Sequence, residues 1–101
     1  MPAKRQSVLL DHNVPVQLRS VLTNHEVTPT YDCGWAELSN GTLLTTAEHA
    51  GFTVLITADQ SMKYQQNFAG RTIALLVLST NNWQRLRNAS RLIDVAVHQA
   101  V

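Results

Sequence analysis

Val8-Leu9-Leu10-Asp11 and Val54-Leu55-Ile56-Thr57-Ala58-Asp59 share one pattern, a short apolar run that ends in an aspartate. A run without polar alternation reads as a strand buried on both faces, which is how strands of a parallel sheet look. In open α/β sheets, ligands bind in the crevice beyond the carboxyl ends of neighbouring strands. If the two runs are neighbours, Asp11 and Asp59 converge on that crevice in a chain with only 7 acidic residues.

Outward from these runs, helical and extended patterns alternate. Ser7 to Leu10 is the first strand. Asp11-His12-Asn13 reads as a turn, with Asn13 as the N-cap of a helix that has Pro15 in its first turn and carries Val16, Leu18, Val21 and Leu22. Glu26 to Tyr31 is a second, weaker strand, and Pro29 assigns it to a sheet edge. Asp32 to Leu38 is an irregular loop with Gly34 and Trp35. Ser39 or Asn40 caps a second helix through Leu43, Leu44, Ala47 and Ala50, which Gly51 stops. Phe52 to Thr57 is the third strand. Gln60 to Phe68 is a short polar helix closed by Gly70, and Thr72 to Leu78 a fourth, fully buried strand. From Asn82 or Trp83 to about Ala100, Leu86, Ala89, Ile93, Ala96 and Ala100 form one stripe of an amphipathic helix.

Strands alternating with helices imply βαβ units and a parallel sheet covered on both sides. The expected fold is a single α/β domain over residues 1–101, a three-layer α/β/α sandwich with a four-stranded parallel sheet in the order 2-1-3-4. Its switch point then lies between the first and third strands, at Asp11 and Asp59.

Composition sets bounds on function. Of 101 residues, 45% are hydrophobic and 15% charged, and the net charge is +1, with no basic tail or acidic block. Nucleic-acid binding would therefore need a local patch. The single cysteine, Cys33, excludes an internal disulfide and a thiolate metal cluster, and reads as a partly buried thiol. The basic start Met1-Pro2-Ala3-Lys4-Arg5-Gln6 leads into an apolar stretch too short for a signal peptide, and no run is long enough for a membrane span. A cytoplasmic protein without a membrane partner is the expectation. No G-x-G-x-x-G, P-loop or G-x-S-x-G pattern is present.

Two neighbouring carboxylates repel unless a cation lies between them. A divalent ion or Lys63, one helical turn beyond Asp59, could supply that charge. Magnesium is commonly held by one or two carboxylates together with waters and substrate phosphates. Of the other acids, Asp32 and Glu37 are expected on the same rim, Glu48 as a solvated helix residue, and Asp94 away from the cleft. His12 falls on the rim as a candidate general base. His25, His49 and His98 are scattered, and no histidine pair has the i, i+4 spacing of a zinc site. Lys63-Tyr64-Gln65-Gln66-Asn67 offers a cation, an aromatic face and amides suited to phosphate and base contacts. Arg85, Arg87 and Arg91 give the last helix a solvated basic side.

The stretches Leu9-Leu10-Asp11-His12-Asn13-Val14-Pro15, Leu38-Ser39-Asn40-Gly41-Thr42-Leu43-Leu44, Leu55-Ile56-Thr57-Ala58-Asp59 and Tyr64-Gln65-Gln66-Asn67-Phe68-Ala69-Gly70-Arg71 resemble a family of small PIN-like proteins of unassigned function, related to VapC-type toxin ribonucleases. The resemblance covers the chain from Val8 to about Asn82. It implies a PIN-like fold in which strand-end acids bind magnesium or manganese and cleave RNA. Asp11 and Asp59 would then be the catalytic, metal-binding acids, with Asn40 assisting, and Lys63, Gln66 and Asn13 would contact the nucleic acid. Where PIN-like nucleases carry an acid at the start of the helix after the second strand, this chain has Asn40 and Thr42. The resemblance also implies an antitoxin protein as partner. The alternative is a catalytically weak or inactive PIN-like module that binds RNA or a protein through the same rim. A third reading gives Trp83, Leu86 and Ile93 to a homodimer or antitoxin interface, although such a stripe more often packs in its own core.

Overall fold

Both apolar runs enter one sheet. The computed structural model describes residues 5–65 and 70–100. The strands are β1 (Ser7–Leu10), β2 (Glu26–Pro29), β3 (Val54–Thr57) and β4 (Ala74–Val77). All pairings are parallel, in the order β2-β1-β3-β4. Val8 lies beside Val54 and Leu10 beside Ile56, so the two runs end level with one another. Among the described residues the helices are α1 (Thr30–Cys33), α2 (Asn40–His49), α3 (Met62–Gln65), α4 (Trp83–Asn88) and α5 (Ser90–Gln99), with a 3₁₀ turn over Val16–Ser20.

Period-2 alternation along the strands sends side chains to two separate cores. Val8, Leu10, Val27, Val54 and Ile56 pack with Leu18, Leu22, Leu86, Ile93 and Val97, so the 3₁₀ turn, α4 and α5 cover one face. Leu9 and Leu55 pack with Leu43, Leu44, Ala47, Met62 and Ile73, so α2 covers the other. The result is the three-layer α/β/α arrangement expected from the sequence.

Several local expectations are corrected. The first helix shrinks to the 3₁₀ turn with Pro15 at its N-cap, and Asn13 does not cap it. The Asn13 side chain accepts from the Ala58 amide at 3.0 Å instead. β2 ends at Pro29, and α1 takes up Thr30 to Cys33, where extended chain and loop were expected. β4 is half-buried because it forms the second edge of the sheet. The long C-terminal helix breaks at Ala89 (φ −102°, ψ 13°) into α4 and α5. The Ala89 carbonyl still accepts from the Ile93 amide at 3.0 Å, so the chain turns there while Leu86 and Ile93 share one core. That burial gives the apolar stripe to the molecule's own interior.

Glu48 is not the solvated side chain its place on α2 suggested. Its carboxylate accepts from Arg71 Nη1 at 2.6 Å, the Thr72 amide at 2.7 Å and the Thr72 hydroxyl at 3.0 Å. The Thr72 amide and then the Arg71 guanidinium hold its pKa at about 2. This contact ties α2 to the strand entering the sheet edge.

Candidate functional site

The carboxyl rim of β1 and β3 is built by continuing the sheet ladder one residue beyond the strands. The Asp11 amide donates to the Ile56 carbonyl at 2.9 Å, which places Asp11 beside Thr57. Asp11 is buried, with 3% of its surface exposed. A buried carboxylate needs hydrogen-bond donors. Its Oδ2 accepts the Thr57 hydroxyl at 2.7 Å, and its Oδ1 accepts from the His12 amide at 2.8 Å and lies 3.0 Å from His12 Nδ1.

Thr57 joins this carboxylate to the next turn. While its hydroxyl donates to Asp11, its oxygen accepts from the Asp59 amide at 3.1 Å. By these contacts the two carboxylates lie within about 10 Å of one another, the reach of two hydrogen bonds and one aspartate side chain. The Asp59 carboxylate accepts from the Ser61 hydroxyl at 2.7 Å, the Ser61 amide at 3.0 Å and Asn40 Nδ2 at 3.3 Å. Ser61's hydroxyl and amide, with the Asn40 amide, hold the Asp59 carboxyl below the usual carboxylate range. Asp59 is therefore ionised at neutral pH, and it also forms the Asx turn that leads into α3.

Asn40 opens α2, and its side chain reaches the rim because α2 packs over the face that carries Leu9 and Leu55. Asp11, Thr57 and Asp59 continue the alternation of that face. Asn13, across the turn, reaches Ala58. Gln60 donates to the Leu78 carbonyl and so ties the rim to the end of β4. A cleft of about 500 Å³ lies along α2 beside the rim, lined by Ser39, Gly41, Thr42, Thr45, Thr46 and Arg71.

The structure thus gathers Asp11, Asp59, Asn40 and Asn13 on one rim. Lys63 and Tyr64 follow on α3, exposed, with the Lys63 ammonium 4.9 Å from the Tyr64 ring centroid. Among the described residues, no contact places Lys63 between the acids. Gln66 lies outside the described residues. Asp32 pairs with Arg19 at 3.2 Å in a solvent-exposed ion pair, and Glu37 is exposed. Burial, with Asp32 next to it, pushes the Cys33 thiol up, away from the thiolate a nucleophile needs.

The rim offers oxygen donors: two carboxylates, and the Asn40 amide oxygen if that group turns over. Such a set suits a hard cation such as magnesium or manganese over zinc. Among the described residues, the Asp59 carboxylate accepts three hydrogen bonds and the Asp11 carboxylate two, with His12 Nδ1 3.0 Å from Asp11 Oδ1. An ionised carboxylate has roughly four lone-pair sites, so about one or two remain on each acid. That matches a cation held through few protein ligands, with waters and a phosphate completing its shell.

Two of the histidines expected to lie apart come together. His25 and His98 have ring centroids 4.3 Å apart, and both lie against Asp94. The i, i+4 spacing of Asp94 and His98 on α5 was the readable half of this cluster.

No family model matches the chain, and no curated protein or solved structure matches it. Among the described residues, no helix is long and apolar enough to cross a membrane.

Proposed function

We propose that the rim between β1 and β3 binds one divalent cation and hydrolyses RNA, as a magnesium- or manganese-dependent ribonuclease of the PIN-like class. The observation that carries this reading is the Thr57 hydroxyl, which donates to buried Asp11 and accepts from the Asp59 amide at the sheet's switch point. Asp11 and Asp59 hold the cation, and Asn40 turns its amide oxygen toward it. When bound, the ion supplies the charge that orients an attacking water and stabilises the leaving oxygen. His12, 62% exposed and beside Asp11, is placed to take a proton from that water. Lys63, Gln66 and Asn13 contact the phosphate backbone, and Tyr64 offers a face for a base. An antitoxin partner belongs to the same proposal.

A second reading is favoured by one contact. Asn40 donates an N–H to Asp59 at 3.3 Å where a third acid would attract the cation. On that reading the rim binds RNA or a protein without cutting. The test is single-stranded RNA incubated with the protein and manganese, with and without chelator. Chelator-sensitive cleavage supports the ribonuclease, whereas binding without cleavage supports the module. Asn40→Asp sharpens the comparison. It adds a charged oxygen beside Asp59, and manganese affinity should rise about tenfold, read by calorimetry, as expected for one more charged ligand. Unchanged affinity would move the cation site away from Asn40.

A further inference from the structure

At the opposite, amino edge of the sheet, His25, Asp94 and His98 bring one ligand atom each to within 4.8 Å of one another. The His25 side chain is fully buried, and Asp94 and His98 are about one-fifth exposed. His25 Nε2 lies 3.1 Å from Asp94 Oδ1, and His98 Nε2 lies 3.5 Å from Asp94 Oδ2. The set resembles a transition-metal site, but the other side of the His25 ring argues against one. The Gln6 amide, buried, donates to His25 Nδ1 at 3.1 Å. Nδ1 is therefore the acceptor, and the proton of neutral His25 sits on Nε2, 3.1 Å from Asp94 Oδ1 but out of line for a hydrogen bond. A metal-bound histidine needs the reverse arrangement, with a bare Nε2 and an Nδ1–H donating outward.

The same bond fixes what acid does. Gln6 immediately precedes β1, and its carbonyl accepts from the Glu26 amide at 2.9 Å as β2 begins. A second proton on His25 can enter only at Nδ1, where it meets the Gln6 N–H head on. Beyond Asp94 and His98 on α5, Arg5 ahead of β1 is the other charge that acts on His25 among the described residues, and Asn24 Nδ2 reaches Asp94 Oδ2 at 3.4 Å. Once both histidines are charged, two cations with rings 4.3 Å apart share one carboxylate.

We propose that His25, Asp94 and His98 form a proton-operated latch that holds α5 to the amino ends of β1 and β2 and opens when His25 takes its second proton. Burial and then His98 push His25 down from 6.5, while Asp94 opposes them. The native state then binds fewer protons than the unfolded chain below about pH 6.5. The latch's contribution is complete above that pH and is lost as pH falls through the depressed native value.

The test is nuclear magnetic resonance of the full chain with ¹⁵N-labelled histidine, together with amide hydrogen exchange between pH 8 and pH 5. At pH 8, His25 should carry its proton on Nε2 with Nδ1 bare. As pH falls from about 6.5 toward the His25 midpoint, protection of the Gln6 amide should fall about tenfold per pH unit, the slope for one linked proton, and level off below it. The Asp11 amide, bonded to Ile56 at the far rim, should keep its protection. Asp94→Asn should lower the His25 midpoint and carry the exchange transition with it. An Nδ1–H tautomer, Gln6 protection that ignores the titration, or a transition that stays put in Asp94→Asn overturns the latch. Shifts of His25 Nε2 and His98 saturating at one equivalent of zinc also overturn it, in favour of a metal site.

Discussion

On the proposed ribonuclease reading, Asp11→Asn should leave the protein folded and reduce manganese-dependent RNA cleavage by about 10²–10³-fold, the usual loss when a charge-stabilising group is removed from a reacting centre. The asparagine oxygen can keep the bonds from the His12 amide and ring, at 2.8 and 3.0 Å in the native protein. Its NH₂ then faces Thr57, whose hydroxyl can rotate to donate to Asn13 Oδ1, 3.4 Å away. The hydrogen-bond network survives, with a stability cost of about 1 kcal/mol. What disappears is the negative charge. Cleavage of a labelled single-stranded RNA, measured beside a thermal melt, separates the two effects. A variant that melts near the native protein and still cuts at the native rate would remove Asp11 from catalysis.

How far the sequence foretold this molecule depends on the range of the forces involved. β1 and β3 were legible because a continuous apolar run has one stable home, between two covering layers. The strand order came from the usual doubly wound arrangement of parallel sheets, and Pro29, which lacks the N–H that a central strand would use, put the second strand at an edge. β4 misled because Ala74-Leu75-Leu76-Val77 is as apolar as a central strand, whereas its half-burial reflects its place at the sheet edge. The break at Ala89 left no mark in the pattern, since alanine favours helix and the stripe continues across it.

At the rim, the two aspartates were readable as strand-end acids, but their coupling was not. Thr57 looked like one more β-branched residue of a buried run. Its role depends on the register that puts Leu10 beside Ile56, and therefore Asp11 beside Thr57. Asn13 similarly resembled an N-cap, because its side chain suits a helix start as well as it suits the Ala58 amide. The His25 cluster is held by contacts between residues far apart in the chain, and only the Asp94–His98 half had a local spacing.

Thr57→Val should destabilise the fold by about 3 kcal/mol, because it removes two hydrogen bonds from a buried site without changing side-chain shape. Thr57 is fully buried, so water has little access to replace its hydroxyl. Loss of the donor leaves Asp11 Oδ2 short of a partner inside the protein, and charged groups bear the larger penalty. Loss of the acceptor strands the Asp59 amide. In urea the midpoint should fall with an unchanged slope, since the surface exposed on unfolding is nearly the same. By heat the loss corresponds to roughly 15 °C for a domain of this size. Thr57→Ser keeps the hydroxyl and should cost about 1 kcal/mol, a deleted methyl. The decisive comparison is the double variant Asp11→Asn with Thr57→Val. If the threonine's main task is to solvate a buried charge, the double should cost less than the sum of the singles, because residues in direct contact couple. Additive costs, or a Thr57→Val variant within about 0.5 kcal/mol of native, would mean that each acid is held independently, and the rim would lose the link that makes its two carboxylates a single site.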